Sequence, residues 1–310
     1  MSNSNAKLKG AVIGVGYLGH FHAQKIQNCP DAELVGVFDQ FKPQSEKIAD
    51  NLKVKSFSDL NDVVQAVDFV TIAAATQAHY DVAKFFLESK VPVLVEKPIA
   101  ATSEQGFELV DLAHRNNVVF SVGHIERFNP AYDIIKQSAS ETLYFEINRL
   151  APFRVRGSDV SVLHDLMIHD LDLIQFLFNS SIASFNVFGH KMIKDTVDDV
   201  SVRLKLQSGM QVTINNSRLN PTTIRNYRAV QKNRIIYVNT ATAEGEILYP
   251  LSTDPYHRVE KFQVPKVDAL QLEINHFVKA VKKEISVAIT AEQASQALRQ
   301  VEKILSEIKF

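Results

Sequence analysis

The sequence predicts an α/β protein: an N-terminal doubly wound parallel sheet is followed by an α+β domain with a large open, mainly antiparallel sheet. In the first 120 residues, short apolar runs alternate with segments of helical spacing, which is typical of parallel strands joined by helical crossovers. From about residue 142, polar and apolar side chains alternate, as in "DDVSVRLKL" at 198–206. This alternation is typical of antiparallel strands with one buried face.

A chain of 310 residues exceeds the usual size of one domain, so we expect two. The change of pattern predicts a dinucleotide-binding domain at 1–121 and a second domain at 122–310. Two helical segments end the chain, and the last one, about residues 291–309, is a candidate to pack back on the first domain. We find no internal repeat and no long linker.

Composition excludes several classes of protein. The 34 basic and 35 acidic residues give a net charge of -1, so nothing favours nucleic acid or an anionic membrane as a partner. Cys29 is the only cysteine, which rules out an internal disulfide and a multi-cysteine zinc site. The polar start lacks the apolar core of a signal peptide, and no apolar run approaches about 18 residues. We therefore expect a cytoplasmic protein without a membrane span.

Gly14, Gly16 and Gly19 form the pattern G-x-G-x-x-G between a predicted strand and a predicted helix. An acidic residue, Asp39, follows the next predicted strand, as dinucleotide binding requires. The glycines allow a tight turn, close approach of a pyrophosphate and close packing of helix on strand. A carboxylate at Asp39 accepts from the ribose hydroxyls and repels a 2′-phosphate, which favours NAD over NADP. The alternative is an ordinary glycine turn.

"VLVEKPIA" places Glu96, Lys97 and Pro98 at the carboxyl end of a predicted buried strand. In open α/β sheets this edge lines the ligand crevice. A lysine fixed between a buried strand and a proline, which is itself a candidate for a cis peptide bond, is a candidate functional group. The alternative is a solvated surface lysine.

The segment "HDLMIHDLDLIQFLF" at 164–178 predicts a helix that is apolar around most of its circumference. At about 100° per residue, Asp165, His169 and Asp172 fall within roughly 60° of one another. Three hypotheses compete: a hydrogen-bonded core network, a metal site, and an acid/base site that faces a cleft. A metal site is disfavoured because His164 and His169 lie on different faces. The core network stays open as the alternative to the acid/base site.

These motifs, together with "GHIERFNP" at 123–130 and "LQLEINHFVKAV" at 270–281, resemble the glucose–fructose oxidoreductase and inositol dehydrogenase (Gfo/Idh/MocA) family. The resemblance spans essentially the whole chain. It implies an NAD-binding Rossmann domain and a second domain that binds substrate and often mediates oligomerisation. It also implies that Lys97 is the catalytic lysine, His169 the acid/base and Asp165 its supporting carboxylate. The cofactor-binding residues expected by this resemblance are Gly14, Gly16, Tyr17, Leu18, Gly19, Asp39, Ala74, Thr76, His79, Glu96 and Lys97.

Three arginines precede the key helix in "NRLAPFRVRGSD" at 148–159, and guanidinium forks suit the phosphates of a nucleotide sugar. The alternative is that they are surface residues or partners of Asp159 and other carboxylates. The run also resembles the branch of the family associated with UDP-N-acetylhexosamine oxidation. We therefore expect an NAD-dependent dehydrogenase of a UDP-N-acetylglucosamine-like sugar, oxidised at C3. The expected substrate-binding residues are Arg127, Arg149, Arg154, Arg156 and Asp172.

Three alternatives stay open at this point. One is a dehydrogenase of free polyols or inositol, and another is a reductase of a non-sugar ring compound. The third is a non-catalytic NAD-binding regulator on the same fold, because fold does not fix function. The retention of Lys97, Asp165 and His169 favours an enzyme.

Overall fold

The structure is a computed structural model that describes residues 6–155 and 160–310. The amino-terminal part contains β1 (Leu8–Ile13), α1 (Tyr17–Gln27), β2 (Ala32–Phe38), α2 (Lys42–Leu52), β3 (Lys55–Ser56), α3 (Leu60–Ala66), β4 (Phe69–Ile72), α4 (Thr76–Glu88), β5 (Val93–Glu96), α5 (Ser103–Asn116) and β6 (Phe120–Gly123). The middle part contains α6 (Asp133–Gln137), β7 (Thr142–Leu150), α7 (Ile168–Phe178), β8 (Ile182–His190), β9 (Asp199–Leu206), β10 (Gln211–Ser217), β11 (Ile224–Gln231), β12 (Ile235–Asn239), β13 (Glu244–Pro250) and β14 (His257–Gln263). The chain ends with α8 (Ala269–Val281) and α9 (Ala291–Ser306).

The chain divides into two compact units. The first runs to Phe128 and also takes in Asp268–Arg299, and the second comprises Asn129–Val267 and Gln300–Phe310. Compared with the domains expected from the sequence, α8 and the first half of α9 therefore group with the first unit. The change of sequence pattern did not indicate this because α8 is separated from that unit by the whole second sheet.

In the first unit, six parallel strands form one sheet in the order β3-β2-β1-β4-β5-β6. Chain order reverses beside β1, which is the switch point where doubly wound sheets bind ligands. Local signals bound the helices: Thr102 and Gln105 form a capping box before α5, and Asp59 caps α3. Asn117 ends α5 in the left-handed conformation.

Helices α1 and α8 cover one face of this sheet. Phe277 of α8 packs edge-on against Phe69 of β4, with ring centroids 5.8 Å apart. The core on this side includes Val12, Leu94 and Ile274, all fully buried. Polar contacts also tie the two helices together, since Lys25 of α1 forms a 2.6 Å ion pair with Asp268 at the cap of α8.

The second unit is built on an eight-stranded sheet in the order β14-β13-β12-β11-β7-β10-β9-β8. All neighbouring pairs are antiparallel except β10 and β7, which are parallel. Phe145 and Ile147 of β7 and Val202 and Leu204 of β9 belong to the buried set, and the alternating residues are exposed or half-buried. The predicted α/β fold with a mainly antiparallel second sheet is confirmed.

Among the described residues, no helix is both long and apolar enough to cross a membrane.

Candidate active site

The glycine motif forms a tight turn between β1 and α1. Gly14 has a φ of +82°, and a Cβ there would lie 2.6 Å from the backbone of Ala74. A Cβ on Gly19 would lie 1.8 Å from the carbonyl oxygen of Gly14, so the helix approaches the turn as closely as glycine alone permits. Around Gly16, by contrast, a Cβ would meet nothing within 4 Å. The turn is therefore packed on its inner side and open at Gly16.

Gly16 is also the N-cap of α1, and no side chain caps the first amides of this helix. Uncapped amides at a helix N-terminus carry a partial positive charge and bind phosphate. The open space at Gly16 and these amides fit the pyrophosphate of a dinucleotide. Tyr17 and Leu18 follow in the first turn of α1, and Tyr17 is 66% exposed there.

Asp39 follows β2 directly and lies beside the glycine turn. One of its carboxylate oxygens accepts a 2.8 Å hydrogen bond from the amide of Val15, and the other accepts a 2.9 Å bond from the amide of Phe41. A carboxylate can accept about four hydrogen bonds, so lone pairs are left for ribose hydroxyls. Asp39 therefore both fixes the turn and places a negative charge next to it.

His79 in α4 braces two loops at the carboxyl edge of the sheet. Its Nδ1 lies 2.8 Å from the carbonyl oxygen of Pro98, and its Nε2 lies 3.1 Å from that of Ala74. Burial lowers the pKa of His79, and the two carbonyl contacts oppose this shift. The ring is 1% exposed, so its position favours holding the loops over touching a cofactor directly. Thr76 begins α4 in the same loop.

Glu96 at the end of β5 points into the unit and forms a 2.7 Å contact with Nε2 of His22 in α1. Burial alone would raise the pKa of Glu96, but the His22 hydrogen bond and the charges of His22, Lys97 and His79 outweigh it, so the pKa is lowered. Glu96 is 8% exposed and His22 is fully buried. This pair therefore ties the lysine-bearing corner of the sheet to the helix of the glycine turn.

Lys97 follows immediately and is half-buried. The Lys97–Pro98 peptide bond is cis. At the end of β5, Lys97 therefore keeps accessible surface, whereas Glu96 is buried and is held by its contact with His22.

In the second unit, the predicted helix at 164–178 begins with a π-helical turn at Leu163–Met167, and α7 starts only at Ile168. The 100° rotation per residue that places Asp165 on the stripe with His169 therefore does not hold across this turn. Asp165 and His169 are both half-buried, whereas Asp172 is 1% exposed. Single π turns inside helices are frequent at functional sites. At neighbouring His164, burial lowers the pKa and the charge of Glu302 opposes this.

Arg149 of β7 belongs to a buried network on α7. Its guanidinium contacts Asp170 through Nε and Nη2, both at 2.9 Å, and Nη2 donates a 2.7 Å bond to Tyr227. Asp170 also accepts a 2.7 Å bond from Asn216. Arg149 is 3% exposed and Asp170 fully buried. This pairing favours the structural alternative for Arg149, as a partner of a carboxylate, over a contact with substrate.

The other expected substrate residues are scattered. Arg127 donates from Nη1 to the carbonyl of Ala288 at 3.1 Å and to Gln293 at 2.8 Å, within the first unit. Arg154 is exposed in the second unit, and Arg156 lies outside the described residues. Within the described part of the chain, no cluster of three or more His, Cys, Asp or Glu side chains is arranged to hold a metal ion.

Models of two protein-family domains match the chain. The model described as an oxidoreductase family with an NAD-binding Rossmann fold matches residues 8–124, and that of the GFO/IDH/MocA C-terminal domain matches 144–235. The chain belongs to the Gfo/Idh/MocA family of oxidoreductases. The expected family and enzyme class are thus confirmed, and so is a nicotinamide dinucleotide as cofactor.

Several known members of the family are similar to this chain. A UDP-N-acetylglucosamine 3-dehydrogenase from Acidithiobacillus ferrooxidans is 31% identical over 279 residues, 88% of each chain. Its crystal structure superimposes with a TM-score of 0.92 at 29% identity and covers 97% of both chains. A scyllo-inositol 2-dehydrogenase (NAD(+)) from Bacillus subtilis is 25% identical over 299 residues, 89% of this chain and 86% of the relative.

The expectations from sequence did not include two residues of this framework. His22 lies three residues after Gly19, on the side of α1 that faces the sheet, and a buried histidine needs a partner such as Glu96. Asp170 lies about 100° from His169 around α7, on the side of this helix that faces the sheet of the second unit. The signal that could have identified Asp170 is Arg149, which occupies an inward-facing position of a predicted strand. A buried guanidinium group needs a countercharge, so a buried acidic residue is expected near it.

The Arg149–Asp170 pair gives a test of its structural role. Asp170→Asn leaves the Arg149 guanidinium buried without a countercharge, so we expect a loss of about 3–5 kcal/mol in the free energy of unfolding. Denaturant titration followed by circular dichroism measures it. Asp195→Asn, at a fully exposed carboxylate, is the matched control and should change stability by less than about 0.5 kcal/mol. Wild-type stability in Asp170→Asn would contradict the structural role.

Proposed function

We propose that this protein is an NAD-dependent dehydrogenase that oxidises a secondary hydroxyl of a nucleotide sugar, specifically C3 of a UDP-N-acetylglucosamine-like substrate. One observation carries the proposal: the similarity to a UDP-N-acetylglucosamine 3-dehydrogenase at 31% identity extends over 88% of the chain. The chain also has the lysine, histidine and aspartate that the family motifs predict for catalysis, at positions 97, 169 and 165.

NAD is the proposed dinucleotide, with NADP disfavoured. The open glycine at Gly16 and the uncapped amides of α1 suit the pyrophosphate, and the charge of Asp39 beside the turn opposes a 2′-phosphate. When bound, the nicotinamide accepts the hydride from the sugar carbon. The protein supplies position and electrostatics.

Lys97 and His169 take the two polar roles in this proposal. The imidazole of His169 removes the hydroxyl proton, and Asp165 supports the imidazolium that forms. The Lys97 ammonium donates a hydrogen bond to the oxygen on which negative charge develops. The half-buried state of both side chains suits these roles, because each is held by its element yet has accessible surface.

Arg154 and Arg156 are the proposed ligands of the substrate diphosphate, since planar guanidinium forks match phosphate oxygens. Arg149 and Arg127 are left out of this set because Asp170 holds the first and Ala288 and Gln293 hold the second. Asp172 is also assigned to the protein interior because it is 1% exposed.

Self-association through the open face of the second sheet is also proposed. Strand register places Arg203, Thr213, Glu146, Arg228, Tyr237, Glu246 and Lys261 in one row across seven strands. Positive and negative charges alternate along this row, so a second copy related by a twofold axis between β7 and β11 places Glu146 opposite Arg228 and Arg203 opposite Glu246. We expect light scattering to give a mass of two or more chains of 34.8 kDa each. A mass of one chain at micromolar concentration would contradict this proposal.

The substrate assignment is tested by incubating the protein with NAD and either UDP-N-acetylglucosamine or myo-inositol while NADH absorbance is followed. We expect turnover with the nucleotide sugar and a 3-keto product by mass spectrometry and NMR. Arg154→Ala with Arg156→Ala should raise KM at least about tenfold with little change in kcat, since it removes binding and not chemistry. Lys84→Ala with Arg115→Ala, two exposed positive charges on α4 and α5, is the matched control.

Turnover of inositol alone would favour the polyol dehydrogenase, and NADH binding without turnover of any sugar would favour the regulator. An unchanged KM in the Arg154 and Arg156 double variant would contradict the arginine roles alone.

Replacing either proposed catalytic group should slow turnover without loss of cofactor. For Lys97→Met and His169→Ala, we expect kcat to fall by at least about 10²-fold, as when a positioned proton-transfer or charge-stabilising group is removed. Affinity for NADH, measured by fluorescence titration, should stay near wild type. The matched controls are Lys84→Met and His257→Ala, which change exposed side chains. Turnover within a few-fold of wild type in both catalytic variants would contradict the catalytic roles. It would favour the alternative that the polar residues of the segment at 164–178 form a structural hydrogen-bond network.

Cofactor choice is expected to depend on the charge of Asp39. Asp39→Ser should lower the preference for NAD over NADP by at least about tenfold, and adding Gln40→Arg should recruit NADP. Asp39→Asn removes the charge and keeps part of the loop geometry, because its single amide oxygen can accept from one of the two amides of Val15 and Phe41. Affinities are measured by isothermal titration, with Glu33→Gln on the exposed side of β2 as the control. Wild-type protein that binds NADP much more tightly than NAD would disprove the assignment.

A further inference from the structure

Glu273 in α8 is a buried carboxyl group that the proposed reaction does not use. It is 2% exposed, and neither carboxyl oxygen has a hydrogen-bond partner among the described residues. An isolated ionised carboxylate in such a place costs so much free energy that the group takes up a proton instead. Burial, and then the negative charge of Glu96, raise the pKa of Glu273 well above its ordinary value of 4.5.

Glu273 faces the side of the sheet on which Glu96 lies. Thr71 pairs with Leu94 across β4 and β5, so both side chains point to one face, and Glu96 two residues further points the same way. Phe69, two residues before Thr71, contacts Phe277 of α8 on that face. Thr71 Oγ1 is itself buried and has no hydrogen-bond partner among residues 6–155 and 160–310, so this region between sheet and helices holds a further polar atom.

His22 connects Glu96 to α1, and α1 packs against α8. While Nε2 of His22 contacts Glu96, its Nδ1 is buried without a hydrogen-bond partner in the described chain. Gly123, which pairs with Glu96 on β6, leaves room for the carboxylate, since a Cβ there would lie 3.2 Å from its Cδ. Two carboxyl groups and an imidazole thus share one buried region.

Several charged or titratable groups lie on the elements around α8. Of these, Glu96 is the one whose charge acts on Glu273. Lys25 is paired with Asp268, and Arg127 is bonded to Ala288 and Gln293. Other charged or titratable groups on these elements include Tyr17, His20 and His22 on α1, Lys97 after β5, His79 on α4, His124, Glu126 and Arg127 at the 3₁₀ turn Ile125–Phe128, and His276 and Lys279 on α8 itself.

We propose that Glu273 is a positioning residue: as a neutral carboxylic acid it leaves the contact between ionised Glu96 and His22 undisturbed, and that contact fixes the end of β5 and thereby the direction of Lys97. Two ionised carboxylates cannot share this region, because like charges at low dielectric repel strongly. If Glu273 loses its proton, Glu96 has to shift, and Lys97 is the next residue. The consequence for turnover rests on the catalytic role proposed for Lys97, whereas the protonation state of Glu273 does not.

The protonation state is tested by infrared spectroscopy and by stability against pH. A neutral carboxyl group has a C=O stretching band that carboxylates lack. We expect this band in the difference between wild type and Glu273→Gln at neutral pH, and its absence in the difference between wild type and Glu33→Gln, an exposed control in the same unit. In the Glu96→Gln variant, the band of Glu273 should disappear at a lower pH than in wild type. The reason is that the variant lacks the negative charge of Glu96, which opposes ionisation of Glu273.

Folded Glu273 keeps its proton to a higher pH than unfolded Glu273, so the fold loses stability as the pH rises above 4.5 and through the raised pKa. As the pH rises from 4.5 towards the raised pKa, wild-type stability should therefore fall more steeply than that of Glu273→Gln, which cannot ionise. Absence of the band at neutral pH, or equal slopes for the two proteins, would overturn the neutral state of Glu273.

The positioning role is tested by the pH profile of turnover. Glu273→Gln should keep kcat within about threefold of wild type at neutral pH and shift the alkaline fall of kcat upward by about one pH unit or more, with NADH affinity unchanged. A merely structural glutamate would alter stability and leave this profile in place, so an unmoved profile would overturn the positioning role. If no sugar is turned over, the proposed function fails, and the infrared and stability results still decide the state of Glu273.

Discussion

The buried negative charge of Glu96 is the constraint on which the geometry of the first unit depends. A carboxylate removed from water must be compensated, and the 2.7 Å contact with His22 does this. The compensation has a structural consequence, because it fixes the end of β5 against α1, whose first turn begins at the glycine motif. His79 acts in the same way between the carbonyl groups of Ala74 and Pro98. Three loops at the carboxyl edge of the sheet are therefore joined by directional polar contacts, which tolerate less displacement than apolar packing does.

The second unit holds α7, the helix of the proposed catalytic residue His169, by the same means. Asp170, on the side of α7 that faces the sheet, receives Arg149 from β7 and Asn216 from β10. His169, the neighbouring residue, is half-buried and so keeps accessible surface while its helix is anchored from behind. A second buried pair, Arg218 with Asp198 at 2.6 Å, holds the segment between β8 and β9. In both units a residue next to a proposed catalytic group carries the buried charge, so that the catalytic group itself does not have to be fixed by burial.

Much of the fold was predictable because its signals are periodic and local. Alternation of apolar runs with helices predicts the parallel sheet, and the spacing of Gly14, Gly16 and Gly19 with Asp39 predicts the turn. The parts that were not predictable depend on tertiary contacts. The pairing of Arg149 with Asp170 joins residues 21 positions apart on different elements, and the π turn at Leu163–Met167 invalidates an angle calculated for a regular helix. The return of α8 to the first unit cannot be read from a local pattern, and it brings Glu273 to Glu96 across 177 residues of sequence.

The similarity to relatives with different named substrates indicates where specificity must lie. The relatives named for UDP-N-acetylglucosamine and for scyllo-inositol each align with more than four-fifths of this chain. In this chain, the contacts of Glu96 with His22 and of Arg149 with Asp170 hold the elements that bear the proposed catalytic groups, but they cannot by themselves discriminate a charged nucleotide sugar from a neutral polyol. Discrimination requires groups that the smaller substrate would leave unsatisfied, and guanidinium groups without their phosphate are such groups. The guanidinium groups proposed here for this purpose, Arg154 and Arg156, follow β7 in the sequence, and β7 carries the Arg149 that pairs with Asp170. A rigid strand followed by a short arginine-bearing segment is an arrangement in which specificity can change without disturbing the catalytic groups.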